Sequence, residues 1–394
     1  MDTFYPHLLF RKHWQITARA RYELGQCDAM IRSICEMPIR PEHHTLLLGV
    51  SLVKGAQATT AIEGNTLTES EVEIIAEGGS LPPSKEYQEI EVRNVLEAMN
   101  SLLVEISVQE TEHLITPDLM LRFHRLIGKD LGQHFDAIPG RFREDHRTVG
   151  PYKCPDPKDV PELVDALCRW LRDEFQYTRG HQPFGDAVIE AIVTHVYVEW
   201  IHPFGDGNGR TGRLLEFYIL LRAGNPDIAS HILSNFYNLT RPEYYRQIHE
   251  ANSKRDLTSF IDYAVTGFRD GLLETVKTIQ KSQFHTAWRS FVHDLFAERK
   301  YTKKTVFKRR RELMLAFPLE LTVPLAQIPL LNPRIALEYG QLSERTLQRD
   351  LDVLIEMGLM NRIENGYRAN TAALRMQMAR RLKKRSSHNT PEDP

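Results

Sequence analysis

The chain has 394 residues, 42% hydrophobic and 26% charged, which excludes a disordered or fibrous protein and leaves room for two or three folded domains. A formal net charge of −2 excludes a uniformly basic nucleic-acid binder. Cys27, Cys35, Cys154 and Cys168 form no CxxC pair. With no signal peptide and no apolar run of membrane-spanning length expected, the anticipated setting is a reducing cytoplasm without a membrane partner.

In chain order, Thr17 to Met37 carries Leu24, Met30, Ile31 and Ile34 at helical spacing and reads as scaffold. From His44 to Glu63 a second helix is expected to turn Leu46, Leu47, Val50, Val53, Ala56, Thr60 and Ile62 inward, with Gly64-Asn65 as a left-handed end. Glu63 then stands in the last turn, where the helix dipole disfavours negative charge by roughly 0.3–1 kcal/mol. A cation should hold it there. The polar stretch Glu77 to Tyr87 links to helices over Glu89 to Glu105 and Thr116 to Ile127. Ile138 to Pro157 has no helical pattern and is broken by Gly150-Pro151 and Pro155, which predicts a hairpin or edge strand. Asp159, Pro161 and Glu162 then open an amphipathic helix reaching Phe175.

Val188, Ile189, Ile192, Val193, Val196, Tyr197 and Trp200 recur at helical spacing and deliver the chain to His202, where Pro203 ends the helix. His195 on this helix reads as a core histidine. Leu214, Leu215, Phe217, Tyr218 and Leu221 predict a second apolar helix starting near Gly209 or Arg210. Between them lies His202-Pro203-Phe204-Gly205-Asp206-Gly207-Asn208-Gly209-Arg210-Thr211-Gly212-Arg213. The free N–H groups of Gly207, Asn208 and Gly209 would face an anion at the positive end of that helix. Arg210 and Arg213, three apart, would address the same anion. Asp206 suits Mg²⁺ bridging phosphates, and His202 suits proton abstraction from a hydroxyl.

HPFGDGNGRTGR resembles the signature loop of the Fic family, HxFx(D/E)GNGRxxR, at every specified position. The resemblance implies a mainly α fold, a helical Fic core with a small β-hairpin flap, and transfer of AMP from ATP to a hydroxyl on a protein target. It assigns His202 as the base, Phe204 as the loop's apolar anchor and Asp206 as the Mg²⁺ ligand. Gly207, Asn208 and Gly209 become the anion hole, Arg210 holds the phosphates and Arg213 the γ-phosphate. Thr59-Thr60-Ala61-Ile62-Glu63-Gly64 resembles the (S/T)xxxE(G/N) inhibitory motif of regulated members, with Thr59 and Glu63 at its named positions. This implies that Glu63 pairs with Arg213 and takes the γ-phosphate's place. Arg147-Thr148-Val149 match the flap that docks the target's backbone, a form of strand addition. Tyr244, Ile248 and Asn252, at spacings of four, match the family's adenine pocket.

Toward the C-terminus, Lys303 to Arg311 and Arg380 to Arg385 are basic runs. Between them Ser343, Thr346 and Asp350 mark a capped helix with Leu347, Leu351 and Leu354 inward, followed by an Asn365-Gly366 hairpin turn. Helix then hairpin resembles a winged helix-turn-helix domain, with Arg345, Gln348 and Arg349 outward, where it would dock DNA or protein. The expected organisation is an N-terminal helical region over 1–115 with its inhibitory helix at about 44–64. A catalytic core follows over 116–280, with the flap at about 140–157 and the signature loop at 202–213. A winged-helix-like domain over 290–380 and a basic tail over 381–394 complete it. Two functions are carried forward: a self-inhibited protein adenylyltransferase, and a DNA-binding regulator using the core as a nucleotide sensor. Removal of AMP, self-modification and a homodimer stay open.

Overall fold

The computed structural model describes residues 5–37, 39–108, 113–178, 181–299, 303–374 and 376. Two compact units meet between Ile279 and Gln280.

In the first unit, helices start where the sequence supplies caps. Helix α1 (Ala18–Glu36) begins after Thr17, whose hydroxyl accepts the Ala20 N–H. Helix α2 (Pro41–Ile62) has proline in its first turn, and α3 (Glu69–Ala76) opens on a Thr68/Glu71 capping box. Helices α4 (Glu86–Val108) and α5 (Pro117–Ile127) follow, the latter capped by Thr116. Strands β1 (Thr148–Val149) and β2 (Tyr152–Lys153) pair antiparallel, and α6 (Val160–Phe175) succeeds them.

At the centre, α7 (Phe184–Ile201) packs along α8 (Asn208–Arg222). Every residue of α8 is buried, as expected of a helix enclosed on all sides. Its charges are therefore all partnered inside the fold: Glu216 accepts from the Tyr237 hydroxyl at 3.0 Å, and Arg222 pairs with Glu190 at 2.5 Å. Helices α9 (Ile232–Leu239) and α10 (Arg241–Lys254) lead into α11 (Thr258–Ala297).

One continuous core joins α1 and α2 to α7, α8 and the start of α11. Helix α11 also runs past residue 280, where the expected catalytic core ends. Trp288, Phe291, Val292 and Phe296 give its second half to the other unit's core, which thus begins before residue 290.

Two expectations for α2 need correction. Leu46 and Val50 are exposed at 66% and 40%, because the first half of the helix has packing on fewer sides than the second. Moreover, α2 is long and apolar enough to cross a membrane by length and composition alone. It packs against α3, α4, α8 and α9, with Leu52, Val53, Ala56 and Ile62 in the core, which is how the fold uses that apolarity.

The second unit holds α12 (Lys304–Ala316), α13 (Pro333–Tyr339), α14 (Glu344–Glu356) and a hairpin of β3 (Met360–Ile363) and β4 (Gly366–Ala369). Val323 forms a further bridge to Tyr367. The turn lies one residue earlier than expected: Glu364-Asn365 form the loop, and Gly366, at φ +142°, sits against the Val323 backbone where a side chain would collide. Arg309 and Arg310 bond the buried Asp350 at 2.8 and 2.6 Å, so two of the six basic residues in the 303–311 run are tied into the fold. The basic run 380–385 and the tail 381–394 lie outside the described residues.

Candidate active site

The α7–α8 turn builds the site. His202 terminates α7 in the left-handed region, φ 49°, a conformation histidine tolerates better than bulky residues do. Its N–H donates to the Val198 carbonyl at 2.8 Å and its carbonyl accepts from Arg143 Nε at 2.7 Å. Burial, with Arg143 nearby, lowers the His202 pKa to about 4, so its imidazole is neutral at pH 7.

Phe204 is fully buried and stacks on His124 at 3.8 Å. Asn208 closes the loop on itself: its side chain accepts the Phe204 N–H and donates to the Phe204 carbonyl, both at 2.9 Å. Gly207, at φ 77°, caps α8. The N–H groups at the start of α8 therefore converge on one point above the helix.

Glu63 stands beside the first turn of α8. A methyl group built on Gly209 would collide with Glu63 Oε1 and lie 2.8 Å from Arg213 Nη1. Arg213 Nη2 donates to Glu63 Oε1 at 2.5 Å, its Nε donates to Thr59 Oγ1 at 2.8 Å, and Nη2 reaches the Thr59 carbonyl at 3.0 Å. Burial pushes the Glu63 carboxyl up, but Arg213, with Arg210 and Arg241, pulls it below the usual carboxylate range. The cation that the helix-end carboxylate required is thus Arg213. Gly64, at φ +104°, turns the chain away from α2, and the Asn65 N–H donates to the Thr60 carbonyl, fixing this end.

Asp206 Oδ1 accepts from Arg210 Nη2 at 2.8 Å and from the Gly207 N–H; Oδ2 accepts the Asp136 N–H at 3.3 Å. Among the described residues no cluster of three His, Cys, Asp or Glu side chains gathers to hold a metal alone. The donor set instead fits an ion taking one carboxylate from the protein and the rest from phosphates and water, since the Asp206 side chain remains 31% exposed.

Two sequence expectations change. Tyr244 is 1% exposed and its hydroxyl bonds His195 Nε2 at 2.7 Å, so it belongs to the core behind the site and not to an open adenine pocket. On the same helix Ile248 and Asn252 are only partly covered. The neighbouring Tyr245 is half exposed, and its hydroxyl donates to the Ile62 carbonyl at 3.1 Å, beside Glu63. In the flap, Arg147 is held by Asp136 at 2.6 Å and Asp145 at 2.7 Å, which makes it a brace. Thr148 and Val149 are the exposed residues of β1.

Residues that the pattern alone does not flag complete the site. Gly140 N–H donates to His124 Nδ1 at 2.9 Å, which leaves Nε2 to donate to the Asp206 carbonyl at 3.0 Å and tie α5 to the loop. Arg143, beyond its bond to His202, donates to the Asp145 carbonyl at 2.7 Å and the Pro155 carbonyl at 2.6 Å, locking the flap's base to the catalytic turn. Glu91 on α4 pairs with Arg210. No local pattern in the sequence marks His124, Arg143 or Glu91, because each reaches the loop from a distant stretch of the chain.

The chain is similar to known proteins. Residues 114–220 match the Fic/DOC family. The chain is 34% identical over 208 residues to protein adenylyltransferase fic-1 of Caenorhabditis elegans, covering 52% of this chain and 37% of that one. Against protein adenylyltransferase Fic of Nematostella vectensis it is 32% identical over 209 residues, covering 52% and 44%. The chain thus spans less than half the length of these curated relatives. A solved Fic family protein from Desulfovibrio desulfuricans shares the fold with a TM-score of 0.56 at 21% identity, over 91% of this chain and 98% of that one. A Fic domain protein from Bacteroides thetaiotaomicron gives 0.53 at 19% identity, over 67% and 97%. The region that matches the Fic/DOC family, residues 114–220, is therefore the one that carries α5, the β1–β2 hairpin, α6, α7 and the turn into α8.

Proposed function

We propose that this protein transfers AMP from ATP to a Ser, Thr or Tyr hydroxyl of a protein target and holds itself inactive through Glu63. The observation that carries the reading is the Glu63 carboxylate seated on the N-terminus of α8 against Arg213, an anion in an anion site. In the active state the γ-phosphate takes that position and Arg213 with it. Arg210 and the N–H groups of Asn208 and Gly209 take the remaining phosphate oxygens, and the Gly207 N–H, which donates to Asp206 Oδ1, joins them once Asp206 turns away. Neutral His202 removes the proton from the target hydroxyl, the oxygen attacks the α-phosphorus, and the bond to the departing pyrophosphate breaks. Asp206 is the residue that would hold Mg²⁺, whose charge would offset that developing on the phosphates. Thr148 and Val149 offer an exposed strand edge for the target's backbone. The chemistry rests on His202 and the inhibition on Glu63, so transfer of label from α-labelled ATP tests both. Glu63→Gly raises it strongly, adding His202→Ala abolishes it, and equal labelling by wild type and Glu63→Gly would remove the inhibitory role.

For residues 304–374 the reading is a winged helix. In its support, α13 and α14 are joined by a short turn, and Val323 bridges to Tyr367 at the edge of the β3–β4 hairpin. Arg345, Gln348 and Arg349 are exposed on α14, which suits a DNA-facing helix. Salt-dependent duplex binding by the full chain, lost on charge reversal of Arg345 and Arg349, is the expected result, and no binding at low salt would defeat it.

A further inference from the structure

Arg210 is buried at the start of α8 with its guanidinium over the Phe135 ring at 5.4 Å, one nitrogen on Glu91 Oε1 and another on Asp206 Oδ1 at 2.8 Å. The two carboxylates are not equivalent. The Asp206 side chain is 31% exposed, whereas that of Glu91 is 10% exposed and its second oxygen accepts from Asn65 Nδ2 at 2.8 Å. Asn65 is itself fixed, donating its amide to the Gln88 carbonyl at 3.1 Å and its N–H to the Thr60 carbonyl at 3.1 Å. It lies two residues beyond Glu63. The contacts form a closed circuit from Glu63 through Arg213, the first turn of α8, Arg210, Glu91 and Asn65 back to the end of α2.

We propose that Glu91 is a positioning residue for the nucleotide site: it is the permanent partner of Arg210, and Asn65 ties it to the end of the inhibitory helix. The proposal rests on the nucleotidyl-transfer reading above. A guanidinium buried at the positive end of a helix demands a counter-charge. With Glu91 present, Arg210 shares itself between two carboxylates, and the more exposed one, Asp206, is free to give up Arg210 and would then hold Mg²⁺. Without Glu91, Asp206 becomes the sole carboxylate on Arg210 and is drawn into a paired, two-bond contact. Asp206 would then be withdrawn from the metal.

The test is calorimetric binding of ATP to full-length protein in a Glu63→Gly background, with Mg²⁺ and separately with EDTA. Glu91→Gln is expected to weaken Mg²⁺–ATP binding at least tenfold and ATP binding in EDTA markedly less. Asn65→Ala weakens Mg²⁺–ATP in the same direction by a smaller factor. Unchanged or tighter binding by a folded Glu91→Gln protein overturns the proposal, as does an equal loss with and without Mg²⁺. Should Glu91→Gln fail to fold, Asn65→Ala decides alone, and unaltered affinity there overturns it. Failure of the Glu63→Gly parent to bind ATP at all sinks the nucleotidyl-transfer reading and this inference with it. A parent that binds and labels normally isolates the fault to Glu91.

Discussion

Removing the Glu63 side chain is the perturbation whose size follows most directly from the geometry. Breaking one side of a buried ion pair costs 3–5 kcal/mol. Here the Glu63 side chain is 31% exposed, and Arg213 keeps two bonds to Thr59, which places the Glu63–Arg213 contact at the low end, about 3 kcal/mol. If that contact is what separates the inhibited arrangement from the competent one, the competent fraction is on the order of 1%, since 1.4 kcal/mol is tenfold. Glu63→Gly should then raise the initial rate of AMP transfer by about two orders of magnitude. The assay is single-time-point label transfer from α-labelled ATP, at fixed protein and ATP, converted to initial rates. A companion measurement separates this from misfolding: the variant unfolds at lower temperature without nucleotide, because Arg213 is left unpaired, and ATP restores much of the loss. A rate increase below about threefold in a folded variant would refute the reasoning.

Three further outcomes follow from individual contacts. Asn208→Ala removes two buried bonds to the Phe204 backbone and should cost about 2–3 kcal/mol in chemical denaturation while abolishing transfer; full activity would show that the loop holds its shape otherwise. Tyr244→Phe should destabilise by about 1–3 kcal/mol and leave the KM for ATP unchanged, whereas Asn252→Ala should raise that KM, and the reverse pattern would return Tyr244 to the adenine pocket. Burial lowers the pKa values of His124 and His231 to about 4, below that of the unfolded chain, so the unfolded state takes up protons first. Stability is then complete above about pH 6.5 and falls as pH drops toward 4, by up to about 3 kcal/mol per histidine, and His124→Gln should flatten that decline in denaturation measured across the range.

The mainly helical fold was legible because apolar residues recur at three and four around helices whose expected starts, Thr17 and Thr116, are also caps; α3, which Thr68 caps, was not anticipated. The signature loop was legible because its chemistry is local: a dozen consecutive residues carry the turn, the helix start and both arginines. Glu63 was legible in part, since a carboxylate at a helix end calls for a cation without naming it. What periodicity could not separate was core from pocket along α10, where Tyr244 and Tyr245 both fit a helical pattern and only burial tells them apart. Nor could it say which part of α2 is enclosed, and so Leu46 and Val50 were expected inside. Glu91 reaches Arg210 across 119 residues and His124 reaches the Asp206 carbonyl across 82. Such contacts depend on how helices stack, a property no local pattern encodes.

The most direct test of the central claim is a crystal structure of the Glu63→Gly protein with Mg²⁺ and a non-hydrolysable ATP analogue. The account predicts the γ-phosphate bonded to Arg213 over the first turn of α8, with the α-phosphorus facing His202. A triphosphate bound elsewhere, or an Arg213 that turns away from it, would contradict it.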